Sequence, residues 1–245
     1  MPYGFTSYFK YLLASKNQYG VHSPFLYDYL SKGLKNKDGL NLHKLTSLRK
    51  ELGRNENVIE VKDFGAGSKS LKKNKRKIAD IVQKAGISAK RGKLLAKTTH
   101  YFQPRSILEI GTSLGLSTAY MTTGAPNARI TTLEGCPATA AVAQENFTKL
   151  GLDNINIQIG EFSQNLDKVL HNQKYDLIFF DGNHQKNPTL DYFHKCLKAA
   201  DENSIFIFDD IHWSPEMEAA WEEIKNHSQV TLSVDTFKWG LVFIH

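Results

Sequence analysis

The chain has only two cysteines, Cys136 and Cys196, among its 245 residues. They match no metal-ligand spacing and no disulfide framework, as expected of a reducing cytoplasm. Long apolar runs are also missing: none approaches the roughly 18 residues that a membrane-spanning helix requires. Residues 1–20, MPYGFTSYFKYLLASKNQYG, interleave aromatics with Lys and polar groups. A secretory leader would need a continuous apolar segment and a small-residue cleavage site there. These absences make a cytoplasmic location the expectation. There is no internal repeat, and no RRM, KH, zinc or helix-turn-helix pattern. The net charge of +6 is therefore weak support for a nucleic-acid partner. Much of the excess sits in KSLKKNKRK, residues 69–77, read as a solvated linker or helix face. A patch for RNA, phosphate or anionic lipid is the competing reading of that run.

With 41% hydrophobic and 23% charged residues, the chain can bury one α/β core and carry an extension. Residues 1–103 read as mostly helical. Tyr3, Phe5, Tyr8, Phe9, Leu12 and Leu13 give a first helix an apolar face. Ser23 and Pro24 offer a cap and a first helical position for a restart. From Pro104 the texture changes. Short apolar runs at 106–110, 129–133, 154–159, 175–180 and 204–208 alternate with helical segments near 115–124, 137–150, 162–171, 188–200 and 215–227. That alternation predicts a mostly parallel sheet with helices on both faces. The last two runs, 229–234 and 238–244, are too close together for a parallel crossover and predict an antiparallel hairpin. The expected fold class is α/β, with a Rossmann-like seven-stranded sheet over 104–245 and a mainly helical extension over 1–103. The extension is expected to act as an acceptor lid or a dimer region.

Two glycine turns compete for a cofactor. DFGAGS, residues 63–68, follows the apolar pair Val58-Ile59 but leads into the basic run, with no second strand and no matching acid. The second, within ILEIGTSLGLST at 107–118, has a strand before it, a helix after it, and Glu134 at the end of the next strand. A nucleoside cofactor in this kind of fold needs all three: glycines for close approach, a helix N-terminus for an anionic group, and an acid for ribose hydroxyls. The second turn is the predicted site, and DFGAGS is expected to lie outside it.

The segments LEIGTSLGLS, TLEG, GEF, YDLIFFDGNH and FIFDDIHWS together resemble the class I S-adenosylmethionine-dependent methyltransferases. The likeness covers about residues 104–245 and is strongest to metal-dependent small-molecule O-methyltransferases of the catechol and caffeoyl-coenzyme A kind. Macrolide and aminocoumarin sugar O-methyltransferases are also similar, and YGVHSPF with DFGAGS looks like the front of bacterial proteins of this type. The resemblance implies that Glu109 and Gly111 line the methionine part of S-adenosylmethionine. Ser117 would meet its carboxylate, Glu134 both ribose hydroxyls, and Glu161 the adenine edge. Gly115 closes the turn. Ser113 stands where many methyltransferases carry a glycine, which matches the small-molecule branch.

Asp181 ends the fourth predicted strand of this region, and Asp209 and Asp210 end the fifth. Three carboxylates converging beside a cleft repel one another unless a cation is present. Hard oxygen ligands suit Mg²⁺ or Mn²⁺, and the resemblance makes Asp181, Asp209 and Asp210 the expected metal ligands. Ser214-Pro215 starts the following helix, so neither Asp209 nor Asp210 is needed as its cap. Asp181 is expected to touch cofactor as well. His184 takes the position of the general base in the catechol-type enzymes, and His212 is a second candidate. The expected activity is metal-assisted methyl transfer to an oxygen of a small-molecule acceptor, with a homodimer possible. The competing readings are an RNA methyltransferase, a nicotinamide-dependent dehydrogenase and a non-catalytic cofactor-binding module.

Overall fold

The computed structural model describes residues 3–15, 23–35, 40–62 and 73–244, with backbone alone at 3–5. The DFGAGS turn and the first part of the basic run lie outside these residues. The chain begins with α1 (Tyr3–Ala14) and α2 (Pro24–Asp28), which runs into a π-helical turn at Tyr29–Gly33. Ser23 caps α2 as predicted, its hydroxyl accepting from the Leu26 N–H. Next come α3 (His43–Leu52), β1 (Val58–Glu60), β2 (Lys75–Lys77), α4 (Ile78–Lys84) and α5 (Ala89–Phe102). β1 and β2 pair antiparallel, so the end of the basic run is a strand rather than a linker or helix face. Three consecutive basic residues show no apolar alternation, and only their pairing with Val58–Glu60 makes a strand of them.

The second half alternates as expected: β3 (Ser106–Ile110), α6 (Leu116–Gly124), β4 (Arg129–Glu134), α7 (Pro137–Leu150), β5 (Ile155–Ile159), α8 (Phe162–Leu170), β6 (Leu177–Phe180), α9 (Lys186–Leu197), β7 (Ile205–Asp209), α10 (Pro215–Lys225), β8 (Val230–Asp235) and β9 (Trp239–Ile244). The seven strands stand in the order β5-β4-β3-β6-β7-β9-β8. β3 to β7 are parallel, while β9 runs antiparallel to both β7 and β8. This is the predicted sheet with its terminal hairpin. The chain leaves β3 toward β4 and later returns to place β6 on the other side. The crevice at that reversal, beyond the carboxyl ends of β3 and β6, is where open α/β sheets receive ligands.

Side chains on a strand alternate between faces, so sequence neighbours enter different cores. Phe179 faces the core that holds Leu45, Leu95, Ala96 and Tyr120, whereas Phe180 faces the one that holds Leu166, Phe193 and Trp221. Helices α3 to α5, from the first hundred residues, therefore share one layer and one core with the sheet. Burying each such aromatic contributes about 1.5–3 kcal/mol. α5 lies very close to α6: a Cβ at Gly92 would fall 2.2 Å from the Tyr120 ring, so only glycine permits this approach.

α1 departs from its predicted orientation. Phe9, Leu12 and Leu13 are exposed, while Ser7 is buried. The reason is a polar anchor: the Ser7 hydroxyl donates to Glu218 at 3.0 Å and meets His212 Nδ1 at 3.2 Å. Tyr8 and Tyr11 then rest against Phe237. Among the described residues, no helix is long and apolar enough to cross a membrane.

Candidate active site at the carboxyl edge of the sheet

The turn after β3 is held by its backbone. Gly111 has φ +107° and Gly115 φ +79°. A Cβ at Gly111 would sit 2.4 Å from the Asp181 carbonyl oxygen, so both its conformation and its contact demand glycine. Ser113 also takes a left-handed conformation, φ +50°, where glycine is common. Its N–H donates to Glu134 Oε2 at 2.7 Å, while the Cys136 N–H donates to Oε1 at 2.8 Å. Each oxygen of Glu134 thus accepts one fixed backbone donor. A carboxylate has about four lone-pair sites, so these two bonds leave it acceptor capacity. Burial pushes the Glu134 carboxyl above its ordinary pKa, against the N–H groups of Cys136 and Ser113, the Thr139 hydroxyl and the Gly135 N–H.

Glu109 lies opposite Thr132 on β4 and is fully buried. Its Oε2 accepts from the Thr118 and Thr132 hydroxyls. Its Oε1 has no hydrogen-bond partner among the described residues. Burial pushes its carboxyl up to about 7, with Ser117, Thr118 and Thr132 opposing and the Glu134 charge adding to the rise. A buried carboxylate oxygen without a donor is costly and suits an ammonium group. Ser113, Ser117 and Asp181 line a small cleft beside it, closed from the other side by Val82 and Ile87 of the first hundred residues. Glu161 is exposed at the start of α8. An orphaned oxygen at Glu109, unsaturated acceptors at Glu134 and a glycine cradle fit S-adenosylmethionine.

The other half of the edge is built differently. Asp181 follows β6, Asp209 is the last residue of β7, and Asp210 takes a left-handed conformation, φ +53°. The three acids come together as expected. A fourth residue, which the sequence reading passed over, stands among them. Arg91 on α5 donates from Nη1 to both oxygens of Asp209, at 2.6 and 2.9 Å, and lies 3.6 Å from Asp210. Asp209 is 4% exposed, so this pair is largely shielded from water. Lys238 stands 3.8 Å from Asp210. Burial, then the nearby carboxylates of Asp209 and Asp210, hold the Asp181 carboxyl well above the usual range. Burial disfavours the Arg91 charge, but Asp209, Asp210 and Asp181 outweigh it and raise its pKa.

A divalent ion needs free carboxylate oxygens arranged around an open centre. Here both Asp209 oxygens are engaged by Arg91, and Oδ1 also accepts from the Asp210 N–H. Among the described residues, no group of three or more His, Cys, Asp or Glu side chains is spaced to hold a metal. The acids as arranged fit the guanidinium and do not fit a metal.

His184 Nε2 lies 3.7 Å from Asp181 Oδ1, and Asn183 and His184 both have positive φ. His212 is placed elsewhere. Nδ1 meets Glu218 at 2.9 Å, Nε2 meets Asp235 at 2.8 Å, and Phe237 stacks on the ring. Both ring nitrogens meet carboxylates, and Nδ1 also meets Ser7 of α1.

Residues 108–211 match the methyltransferase-domain family. The matched stretch spans the glycine turn, Glu134 and all three aspartates. Over 129 residues the chain is 33% identical to a catechol O-methyltransferase of Niastella koreensis, covering 51% of this chain and 58% of that protein. Over 127 residues it is 32% identical to one of Mycobacterium tuberculosis, covering 51% and 56%. The matches thus span a little over half the length of these curated relatives. The fold resembles that of a Bacillus cereus O-methyltransferase in complex with SAH, with TM-score 0.59, 19% identity and coverage of 90% of this chain and 97% of that one. It also resembles an SAH-bound Podospora anserina methyltransferase, with TM-score 0.65, 18% identity and coverage of 92% and 97%. The domain match and these relatives support the class I S-adenosylmethionine-dependent O-methyltransferase family that the motifs resemble.

Proposed function

We propose that this chain transfers the methyl group of S-adenosylmethionine to an oxygen of a small-molecule acceptor. One observation carries this reading: the unpartnered Oε1 of Glu109 and the unsaturated carboxylate of Glu134 flank the Gly111 turn at the sheet's reversal point. In this reading Glu109 and Gly111 receive the methionine part, Ser117 its carboxylate, Glu134 the ribose and Glu161 the adenine edge. The names of the curated relatives favour an oxygen acceptor.

The bound cofactor supplies an electrophilic methyl group. The protein's residues hold the acceptor oxygen in line with it, exclude water and take up one proton. His184, beside Asp181, is the proton acceptor in this scheme. Residues 1–103 cover the acceptor side, a role supported by Val82 and Ile87 at the cleft and Arg91 among the acids. The divalent ion expected from the three aspartates enters no step. Among the described residues of the basic run, Lys77 pairs with Glu56 and Arg76 is buried, which lends the RNA reading no support.

Titration calorimetry tests the assignment. The demethylated cofactor should bind with a dissociation constant of about 1–50 μM, equivalent to roughly 6–8 kcal/mol. NAD should not bind. Tight NAD binding without a response to S-adenosylmethionine or its product would sink the proposal.

A further inference from the structure

Arg91 is an unexpected residue to find at the acids. It lies in the first turn of α5, where Ser88 caps the helix by accepting from the Arg91 N–H. A cation there opposes the helix dipole, so the placement needs compensation, and Asp209 supplies it. The contact joins groups 118 residues apart. Its position is fixed by packing, because neighbouring Gly92 sits directly against Tyr120. Asp209 is equally fixed, paired in register with Trp239 on β9. Two rigid elements thus bring a permanent cation to the place where the acids would otherwise repel.

We propose that Arg91 is the resident cation of this site, holding the position beside Asp181, Asp209 and Asp210 that a divalent ion takes in the metal-dependent enzymes the motifs resemble. The idea rests on the methyl-transfer reading for its catalytic meaning. Under it, methyl transfer needs no metal. The positive charge is delivered by a side chain of the N-terminal layer, so that layer completes the site. Chelation no longer demands two neighbouring acceptor oxygens, and a lone hydroxyl is a sufficient acceptor.

The test uses the full chain and Mn²⁺ alone, followed by electron paramagnetic resonance, with calorimetry of SAH binding on the same samples. Wild type should leave the Mn²⁺ signal undiminished at millimolar ion. Arg91→Gln should bind Mn²⁺ at least about tenfold more tightly than wild type, the gain being lost in the Arg91→Gln/Asp209→Asn double variant. Wild-type Mn²⁺ binding that displaces Arg91 overturns the proposal, as does an Arg91→Gln variant that folds and gains nothing. Should Arg91→Gln fail to fold, the Arg91 Nε–H resonance of wild type decides: unchanged in excess Mg²⁺ supports the proposal, and a shift saturating with Mg²⁺ overturns it. SAH binding separates the two readings. Its absence from wild type would end the methyltransferase assignment, while the metal comparison would still report on Arg91.

Discussion

The two halves of the sheet's carboxyl edge handle buried acids in opposite ways. Around β3 and β4, Glu109 and Glu134 are held by short-range donors, namely Thr118, Thr132, Ser113 and Cys136, and keep acceptor capacity in reserve. Around β6 and β7, Asp209 is already satisfied by Arg91 from a distant helix. In the proposed reading the first half receives a ligand that carries donors and positive charge. The second brings its own charge. The contrast shows that clustered acids do not by themselves define a metal site; what matters is which oxygens remain free once the tertiary contacts are made.

The strongest way to break this comparison is to remove the cation. Breaking a buried ion pair from one side costs about 3–5 kcal/mol, so Arg91→Gln should lower stability by that order in urea unfolding. Adding Asp209→Asn should recover part of the loss. An unchanged midpoint would mean that Asp209 does not depend on Arg91.

The next effect is a dependence on pH. The Glu109 carboxyl is pushed to about 7, above its ordinary 4.5. The folded protein therefore holds this proton more tightly than the unfolded chain does. The associated stability is complete below about pH 4.5 and disappears as pH rises through about 7, a change on the order of 3 kcal/mol. Glu109→Gln cannot titrate, so it should be more stable than wild type at pH 8 relative to pH 5. It should also bind SAH more weakly at pH 8. Parallel stability–pH curves for the two proteins would remove Glu109 from this role.

Glu134→Gln sharpens the comparison from the ligand side. Replacing one carboxylate oxygen with an amide loses acceptors for the ribose hydroxyls, at about 1.5–3 kcal/mol for a hydrogen bond to a charged group. SAH affinity should fall about 10- to 100-fold by calorimetry, while Mn²⁺ behaviour stays as in wild type. Gly92→Ala should act on the other half through packing. Its methyl group meets the Tyr120 ring, an overpacking cost of about 1–3 kcal/mol, seen as a lower Tm. The smallest effect belongs to Glu161→Ala at the exposed start of α8, where SAH affinity should change less than about threefold; a larger loss would place more of the adenine contact there.

Much of this was legible in the chain. The alternation from Pro104 onward foretold the sheet and its hairpin because strand and helix periods are local properties. Ser23 and Ser214 cap their helices as read, since a cap needs only the next three residues. The Gly111 turn and Glu134 were legible because one strand, one helix and one further strand contain the whole device. Reading failed where a residue's partner was remote. The strand at Lys75–Lys77 is specified by Val58–Glu60, not by its own pattern. α1 turns its apolar residues outward because Ser7 binds a His212–Glu218 pair more than 200 residues away.

The sequence by itself determined the parallel sheet, the glycine cradle and the meeting of three aspartates at adjacent strand ends, because periodicity and chain order suffice for these. Only the tertiary structure decided what those aspartates face. Arg91 reaches Asp209 because Gly92 lets α5 lie against α6 and because β7 is held in register beside β9. Nothing in the spacing of Arg91 from its neighbours distinguishes it from any other surface cation. The distance between the charges is set by how helix and sheet pack, and packing is the part of the code that a local reading does not contain.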